Sequence, residues 1–328
     1  MDSALLTDAI RFFRPFFARE CFIDFYGGEP LLAFEEIKQT VGQIEGLSKK
    51  RRVKPHYSLT TNGSLLTDEI LDFLEDHKFS VLLSFDGLAQ DISRKKGSFD
   101  LLVAVIPKIL ERPRIFLETN SVFTSETIPY LSRSIEFIDQ LGVCKFSVAF
   151  GHRRPWTSSS LLRQKKELAL VRKYFRSRYQ KTADVPWADL HEHFEKAIYC
   201  CPAGQDKMAL AADGTLWGCF LFPQYFSGSK KFREAHKYCF GDVGTFIENH
   251  KEIYPRTMEN YAALRMDNFS TPDRSCAMCD EIEECWICPL AAALISREIG
   301  RIPALVCGGA KMWRKERRRL QEQFKKPN

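Results

Sequence analysis

The chain has 328 residues, of which 45% are hydrophobic and 27% charged, so it can form a sizeable core of one or two domains. It contains no run of 18 apolar residues, which excludes a predicted membrane-spanning helix. The first residues include Asp2 and Asp8 and do not resemble a secretory signal, so a cytoplasmic protein without membrane association is expected.

The net charge of +6 is concentrated at the C-terminus, where residues 311–328 hold eight basic and two acidic side chains. A basic helical tail can contact nucleic acid, but it more often forms a solvated chain end. Nucleic-acid modification is therefore the least favoured of the functions considered.

Strand-like and helical patterns alternate through the first 150 residues, after an amphipathic helix over residues 4–18. The predicted strands are Cys21–Tyr26, Tyr57–Thr61, Val81–Phe85, Ile115–Phe123 and Lys145–Phe150. The predicted helices between them are Leu31–Leu47, Asp68–His77, Phe99–Leu110 and Ile128–Leu141. Buried strands separated by helices predict an α/β fold with a parallel sheet, either barrel-like or doubly wound.

A charged helix is predicted from Leu161 to Tyr179, and Pro186 then breaks the pattern. From about residue 198 the chain changes to short segments rich in glycine and cysteine. We therefore predict four segments: a barrel domain over 1–155, a helical linker over 156–197, a cysteine-rich domain over 198–310, and a basic helix or tail over 311–328.

Three successive strands end in polar residues and glycine. These strand ends are Gly27-Gly28-Glu29-Pro30, Thr60-Thr61-Asn62-Gly63 and Ser84-Phe85-Asp86-Gly87. The carboxyl ends of parallel strands meet at one edge of a sheet, which is where α/β proteins bind ligands. Together the three ends predict a rim that binds a polar small molecule such as an amino acid or a nucleoside.

Nine of the eleven cysteines lie between residues 200 and 307. An odd number of cysteines in a chain without a secretory signal favours metal ligation over disulfides. A hairpin predicted over Met208–Trp217 would bring Cys201 and Cys219 together. A second set follows as Cys276-x2-Cys279-x5-Cys285-x2-Cys288, and then Cys307.

Seven cysteines exceed the four that one tetrahedral site needs, and on the cysteines alone zinc and iron–sulfur clusters are equally open. The remaining cysteines in apolar contexts, Cys21, Cys144 and Cys239, are predicted to be small core residues. His191 and His193 flank Glu192 on a predicted helix, point to different faces and are interpreted as surface residues.

These motifs together resemble the radical S-adenosylmethionine (SAM) enzymes with a C-terminal SPASM domain, a group that includes sulfatase-maturing and peptide-maturing enzymes. The resemblance runs from residue 1 to about 310. It implies a partial (β/α)6, TIM-like barrel, here without its first strand, followed by a small cysteine-rich α+β SPASM domain.

The resemblance also implies a SAM site at the strand ends. The turn of Gly27, Gly28, Glu29 and Pro30 matches the motif that binds the SAM amino group. Asn62 and Ser84 match positions that contact its ribose and carboxylate. Asp91 and Arg94 resemble a polar pair after the third motif, with Arg94 a candidate for the SAM carboxylate.

In the SPASM pattern, interleaved cysteines hold two auxiliary [4Fe–4S] clusters. The resemblance assigns Cys201, Cys219 and Cys288 to the first cluster, with Cys200 as a possible fourth ligand. It assigns Cys276, Cys279, Cys285 and Cys307 to the second. The spacing before Cys288 is x2, where the pattern has x3.

The C-x3-C-x2-C motif that holds the catalytic [4Fe–4S] cluster in this family does not occur in the sequence. It would lie just upstream of a helix such as 4–18, so we expect truncation rather than true loss, and the cluster is expected in a full-length protein. Without these three thiolates the chain cannot cleave SAM reductively. Phe220 follows Cys219 where sulfatase-maturing relatives carry a catalytic Asp, which argues against sulfatase maturation.

The predicted function is radical SAM modification of a peptide or protein side chain through a 5′-deoxyadenosyl radical, with a flavodoxin or ferredoxin as reductant. The alternative is a non-catalytic protein of the same descent that binds peptide or acts as a scaffold.

Overall fold

The computed structural model describes residues 3–51, 53–151, 156–179, 185–190, 196–226 and 233–324. The contacts divide them into two compact units. The cysteine unit comprises the described residues within 1–21, 35–54 and 194–311, and the sheet unit those within 22–34, 55–193 and 312–328. The four segments predicted from the sequence stay a prediction, as do the positions of His191 and His193, which lie outside the described residues.

Five strands form one sheet in the order β1-β2-β3-β4-β5. They are β1 (Glu20–Phe25), β2 (Lys54–Thr61), β3 (Ser80–Ser84), β4 (Phe116–Phe123) and β5 (Phe146–Phe150). Neighbouring strands from β2 to β5 pair in parallel. The prediction of an α/β fold with a parallel sheet is confirmed, whereas barrel closure and the SPASM domain stay predictions.

Helices follow the strands as the sequence pattern predicts. The α-helices are α1 (Ser3–Phe13), α2 (Phe34–Arg51), α3 (Asp68–Asp76), α4 (Gln90–Ser93), α5 (Ser98–Leu110), α6 (Leu131–Gln140), α7 (Ser158–Arg178), α8 (Leu221–Phe226), α9 (Val243–Ala262), α10 (Pro289–Ser296) and α11 (Ala304–Phe324). None of the described helices has the length and apolar character needed to cross a membrane.

The two faces of the sheet differ in burial. In β4, Leu117, Thr119, Ser121 and Phe123 are buried, whereas the alternating residues are only half-buried. The same alternation continues in β2 and β3, because successive strand residues point to opposite faces. The less buried face carries polar side chains such as Glu118 and Asn120 among apolar ones, and it is partly accessible to solvent.

The cysteine unit is built around a three-stranded sheet in the order β6 (Ala209–Leu210), β7 (Thr215–Trp217) and β8 (Cys239–Asp242). Both pairs of strands are antiparallel, and β6–β7 is the predicted hairpin. Aromatic side chains fill the core, with Phe240 and Tyr261 stacked at 5.7 Å between ring centroids. Phe12 of α1 packs edge-on against Phe246 of α9 at 5.7 Å.

Candidate functional site

The Glu29 carboxylate joins the ends of two strands. Its Oε1 accepts hydrogen bonds from the Leu31 N–H at 3.2 Å and the Thr61 hydroxyl at 2.8 Å. Its Oε2 accepts a hydrogen bond from the Asn62 N–H at 2.8 Å. Glu29 therefore fixes the first two strand ends of the predicted rim at one edge, and Pro30 begins the short 3₁₀ turn that follows it.

The backbone before Glu29 is open. Gly27 has a φ of +156°, and a Cβ atom added to Gly27 or Gly28 would meet no heavy atom within 4 Å. Gly63 differs, because its φ is +76° and a Cβ there would lie 2.5 Å from Leu102. The first two glycines thus leave room for a ligand to approach the main chain, whereas Gly63 is needed for the turn itself.

The third strand end is organised by a buried ion pair. Asp86 is 1% exposed, and its carboxylate accepts hydrogen bonds from Arg94 Nε at 2.8 Å and Nη2 at 3.1 Å. The Val122 N–H donates to the same carboxylate at 2.7 Å. Arg94 keeps about a quarter of its side chain exposed, and its Nη1 donates to no described residue. This nitrogen is not engaged by the described residues, and the predicted role of Arg94 in binding a ligand carboxylate stays a prediction.

Asp91 does not pair with Arg94 in the structure. Its carboxylate accepts hydrogen bonds from the N–H groups of Gly97 at 3.0 Å and Phe99 at 2.9 Å, and these bonds lower the pKa of Asp91. Its observed contacts are therefore with the N-terminal end of α5.

A row of polar side chains crosses the half-buried face beside Ser84. Ser84 is in register with Asn120 on β4, and Asn120 is in register with Ser147 on β5. The Ser147 hydroxyl donates to Asn120 Oδ1 at 3.2 Å. Sequence reasoning missed both residues, although polar residues at alternate positions inside apolar strands are a signal that could have found them.

Three of the predicted first-cluster cysteines come together in the cysteine unit. Cys201 and Cys219 are buried, Cys288 is half-buried, and the three thiols interact electrostatically. Burial raises the pKa of Cys201, while the Ala203 N–H and the Tyr199 hydroxyl donate hydrogen bonds that act in the opposite direction.

Two glycines allow Cys201 and Cys219 to approach. The Gly204 N–H, just after Cys201, donates to the Gly218 carbonyl at 3.1 Å. A Cβ on Gly218 would lie 2.6 Å from the Gly204 nitrogen, so only glycine fits beside Cys219. Lys207, which no sequence signal indicated, lies near enough to Cys201 and Cys219 to lower their pKa against the larger effect of burial.

The predicted second-cluster cysteines form another group in the same unit. Cys276, Cys279 and Cys285 lie on two successive 3₁₀ turns, and Cys307 lies in the first turn of α11. Burial raises the pKa of Cys276 to about 11, and Cys285, Cys307 and Cys279 add to the rise. Cys288 joins the first group although it follows Cys285 closely, as the interleaved pattern implies.

The other cysteines lie elsewhere. Cys200 is exposed and its backbone forms an isolated β-bridge with Arg265, and its role as a fourth ligand stays a prediction. Cys21 and Cys239 are half-buried. The prediction that Cys144 is a core residue is wrong: it is exposed, because it follows the buried Val143 in the turn before β5.

The donor chemistry fits iron–sulfur clusters. Each group gathers thiols, the ligands of such clusters, in partly buried surroundings, and N–H and O–H groups donate to the sulfurs of the first group. Among the described residues, no group of three or more His, Cys, Asp or Glu side chains is arranged so that it could hold a single metal ion. Ligation by these cysteines therefore stays a prediction.

Two kinds of named enzyme are among the sequence relatives. The radical SAM cyclopropyl synthase TigE of Paramaledivibacter caminithermalis is 27% identical over 133 residues, which is 40% of this chain and 28% of the relative. A cysteine-type anaerobic sulfatase-maturating enzyme of Clostridium perfringens is 37% identical over 67 residues, or 20% of this chain and 18% of the relative. The matches thus span less than a third of either relative, and no model of a known protein family matches the sequence.

Solved structures extend the likeness to almost the whole chain. Native anSMEcpe with bound AdoMet has a TM-score of 0.75 at 16% identity, covering 99% of this chain and 90% of that one. Streptococcus suis SuiB bound to the precursor peptide SuiA has a TM-score of 0.55 at 16% identity, covering 94% and 69%. The chain thus has the fold of these proteins, and the predicted resemblance to radical SAM enzymes is confirmed.

Proposed function

We propose that the protein is a radical SAM enzyme that modifies a side chain of a peptide or protein. The convergence of seven cysteines into two groups within the cysteine unit carries this proposal, because isolated structural thiols would not gather in this way. Named relatives and structural neighbours support the enzyme class.

The rim residues would hold SAM. Glu29 is fixed by three hydrogen bonds and presents a carboxylate beside open glycine backbone, which suits an amino group. Arg94 has Nη1 free of described partners and suits the carboxylate of the same amino acid moiety. Asn62 and Ser84 offer polar groups for the ribose. In a full-length protein that also carries the catalytic [4Fe–4S] cluster, SAM would supply the radical chemistry that removes a hydrogen atom from the substrate.

The two cysteine groups would hold auxiliary [4Fe–4S] clusters. Cys201, Cys219 and Cys288 would bind the first cluster. Cys276, Cys279, Cys285 and Cys307 would bind the second. N–H groups that point at the Cys201 and Cys219 sulfurs favour the thiolate form that a ligand needs.

A peptide is the substrate class that the comparisons favour. SuiB was solved with the precursor peptide SuiA, and anSMEcpe was solved with a bound peptide. Phe220, next to Cys219, replaces the acidic residue expected for sulfatase maturation, so we favour a different peptide side-chain modification. A flavodoxin or ferredoxin would supply electrons.

Metal analysis tests the proposal directly. After anaerobic reconstitution with iron and sulfide, the purified chain should hold about eight iron and eight sulfide per chain in its two cysteine groups. Matched reconstitution with zinc serves as the control. Stoichiometric zinc without acid-labile sulfide in anaerobically purified protein before reconstitution, or a colourless protein after reconstitution with iron and sulfide, would contradict the proposal.

A further inference from the structure

One cation lies against the second cysteine group. Arg274 Nη2 donates a hydrogen bond to the Cys279 sulfur at 3.5 Å, which is within the range for a sulfur acceptor. Among the described residues, no carboxylate forms an ion pair with Arg274. An arginine stays protonated at any pH at which a protein is folded, so this positive charge is permanent.

The backbone around Arg274 fixes where its side chain starts. The Thr271 N–H donates to the Arg274 carbonyl at 2.9 Å, and the Arg274 N–H donates to the Thr271 hydroxyl at 3.3 Å. Ser275 then caps the 3₁₀ turn Cys276–Met278 by accepting from the Ala277 N–H at 3.3 Å. The Arg274 side chain therefore starts from a hydrogen-bonded turn that lies just before Cys276, the first cysteine of the second group.

The charge of Arg274 already acts on its neighbours. It counters the rise that burial and the other thiols cause in the pKa of Cys276. Four thiolates around a cluster carry negative charge, and one-electron reduction adds another unit. A cation hydrogen-bonded to a ligand sulfur stabilises the reduced state more than the oxidised state, and both hydrogen bonds to sulfur and net charge set cluster potentials.

We infer that Arg274 is a positioning residue that raises the reduction potential of the second cluster through its hydrogen bond to Cys279. The inference rests on the proposed function, in which Cys276, Cys279, Cys285 and Cys307 hold a [4Fe–4S] cluster. Arg274 thus makes this cluster easier to reduce than it would be without the cation, which suits the acceptance of an electron from a substrate radical.

Potentiometric titration of the reconstituted full chain with dithionite, followed by electron paramagnetic resonance, tests the inference. Arg274→Gln removes the charge and keeps a polar side chain. In this variant, the ratio of reduced to oxidised second cluster at a fixed potential should fall about tenfold. For a one-electron couple this corresponds to a decrease of about 59 mV in the reduction potential. Arg274→Lys keeps the charge without the planar fork and should show a smaller shift in the same direction.

The matched control is Arg256→Gln. Arg256 is exposed on α9, and among the described residues it has no hydrogen bond to a cysteine, so this variant should leave the reduction potentials of both clusters unchanged. Iron and sulfide are measured in every variant before titration. Wild-type protein that takes up no sulfide overturns the proposed function and this inference with it. Fully loaded Arg274→Gln protein with a wild-type potential overturns the inference alone. If Arg274→Gln loses its cluster, an unchanged potential in loaded Arg274→Lys protein overturns it as well.

Discussion

Replacing Glu29 by Gln tests whether its carboxylate holds the strand ends together. Oε1 accepts hydrogen bonds from Leu31 and Thr61, and Oε2 accepts one from Asn62. In the Gln variant the amide oxygen can still accept the hydrogen bonds from Leu31 and Thr61. The amide NH₂ must then face the Asn62 N–H, and one charge-assisted hydrogen bond is lost. Such bonds contribute about 1.5–3 kcal/mol, so we expect the free energy of unfolding to fall by about 2 kcal/mol.

Glu35→Gln is the matched control, because it makes the same chemical change on the surface of α2. The Glu35 side chain is 72% exposed and pairs with Lys38 one helical turn away, so this substitution should cost roughly 0.5 kcal/mol or less. Urea-induced unfolding followed by circular dichroism measures both variants against the wild type. Equal stability of the Glu29 and Glu35 variants would refute the bridging role of Glu29.

Further predictions concern the ion pair, a helix cap and the cysteines. Asp86→Ala should lower the free energy of unfolding by about 3–5 kcal/mol in urea denaturation, because it leaves Arg94 without its buried partner. Asp242→Ala removes the N-cap of α9, where the carboxylate accepts from the Thr245 N–H at 2.9 Å, and should cost about 1 kcal/mol in thermal unfolding; Asp242→Asn should cost little. Cys201→Ser should retain about half of the reconstituted iron and sulfide, whereas Cys144→Ser should retain all of it.

The cap at Asp242 also predicts a pH dependence. The hydrogen bond from Thr245 lowers the pKa of Asp242 below its ordinary value of 3.8. The folded state therefore binds the proton less tightly than the unfolded state, and the stabilisation is present above pH 4 and lost as the pH falls through the folded pKa. The wild type and Asp242→Ala should converge in stability in acid; a constant difference down to pH 2 would contradict this reasoning.

The regular elements of the sheet unit could be predicted because their signals are local. Tyr57–Thr61 and Val81–Phe85 are short apolar runs followed by glycine, and the structure has strands there with bounds shifted by a few residues. The first helix was predicted to continue to residue 18, but it ends at Phe13 and a 3₁₀ turn follows. Pro15 explains the difference, because proline lacks the N–H that would continue the α-helical hydrogen bonds.

The site could be predicted only in part. The grouping of the thiols came from the resemblance to the SPASM pattern, because the cysteine spacing alone does not say which thiols share a group. The contacts of Arg274, Tyr199 and Lys207 with those thiols depend on turns and side-chain directions that no periodicity encodes. The ion pair between Asp86 and Arg94 was not predicted for the same reason. The sequence indicated Arg94 only as a ligand-binding residue, and no pattern in it shows that Asp86 pairs with Arg94.

Gly218 connects the aromatic core of the cysteine unit to the neighbouring residue Cys219. Its N–H donates to the Tyr261 hydroxyl at 2.7 Å, and that hydroxyl donates to the Tyr238 carbonyl at 2.7 Å. A methyl group on Gly218 would lie 2.6 Å from the Tyr261 ring, so the main chain before Cys219 has no spare room. A substitution at Tyr261 or Tyr238 would therefore shift the main chain beside Cys219, and these aromatic positions should tolerate few exchanges.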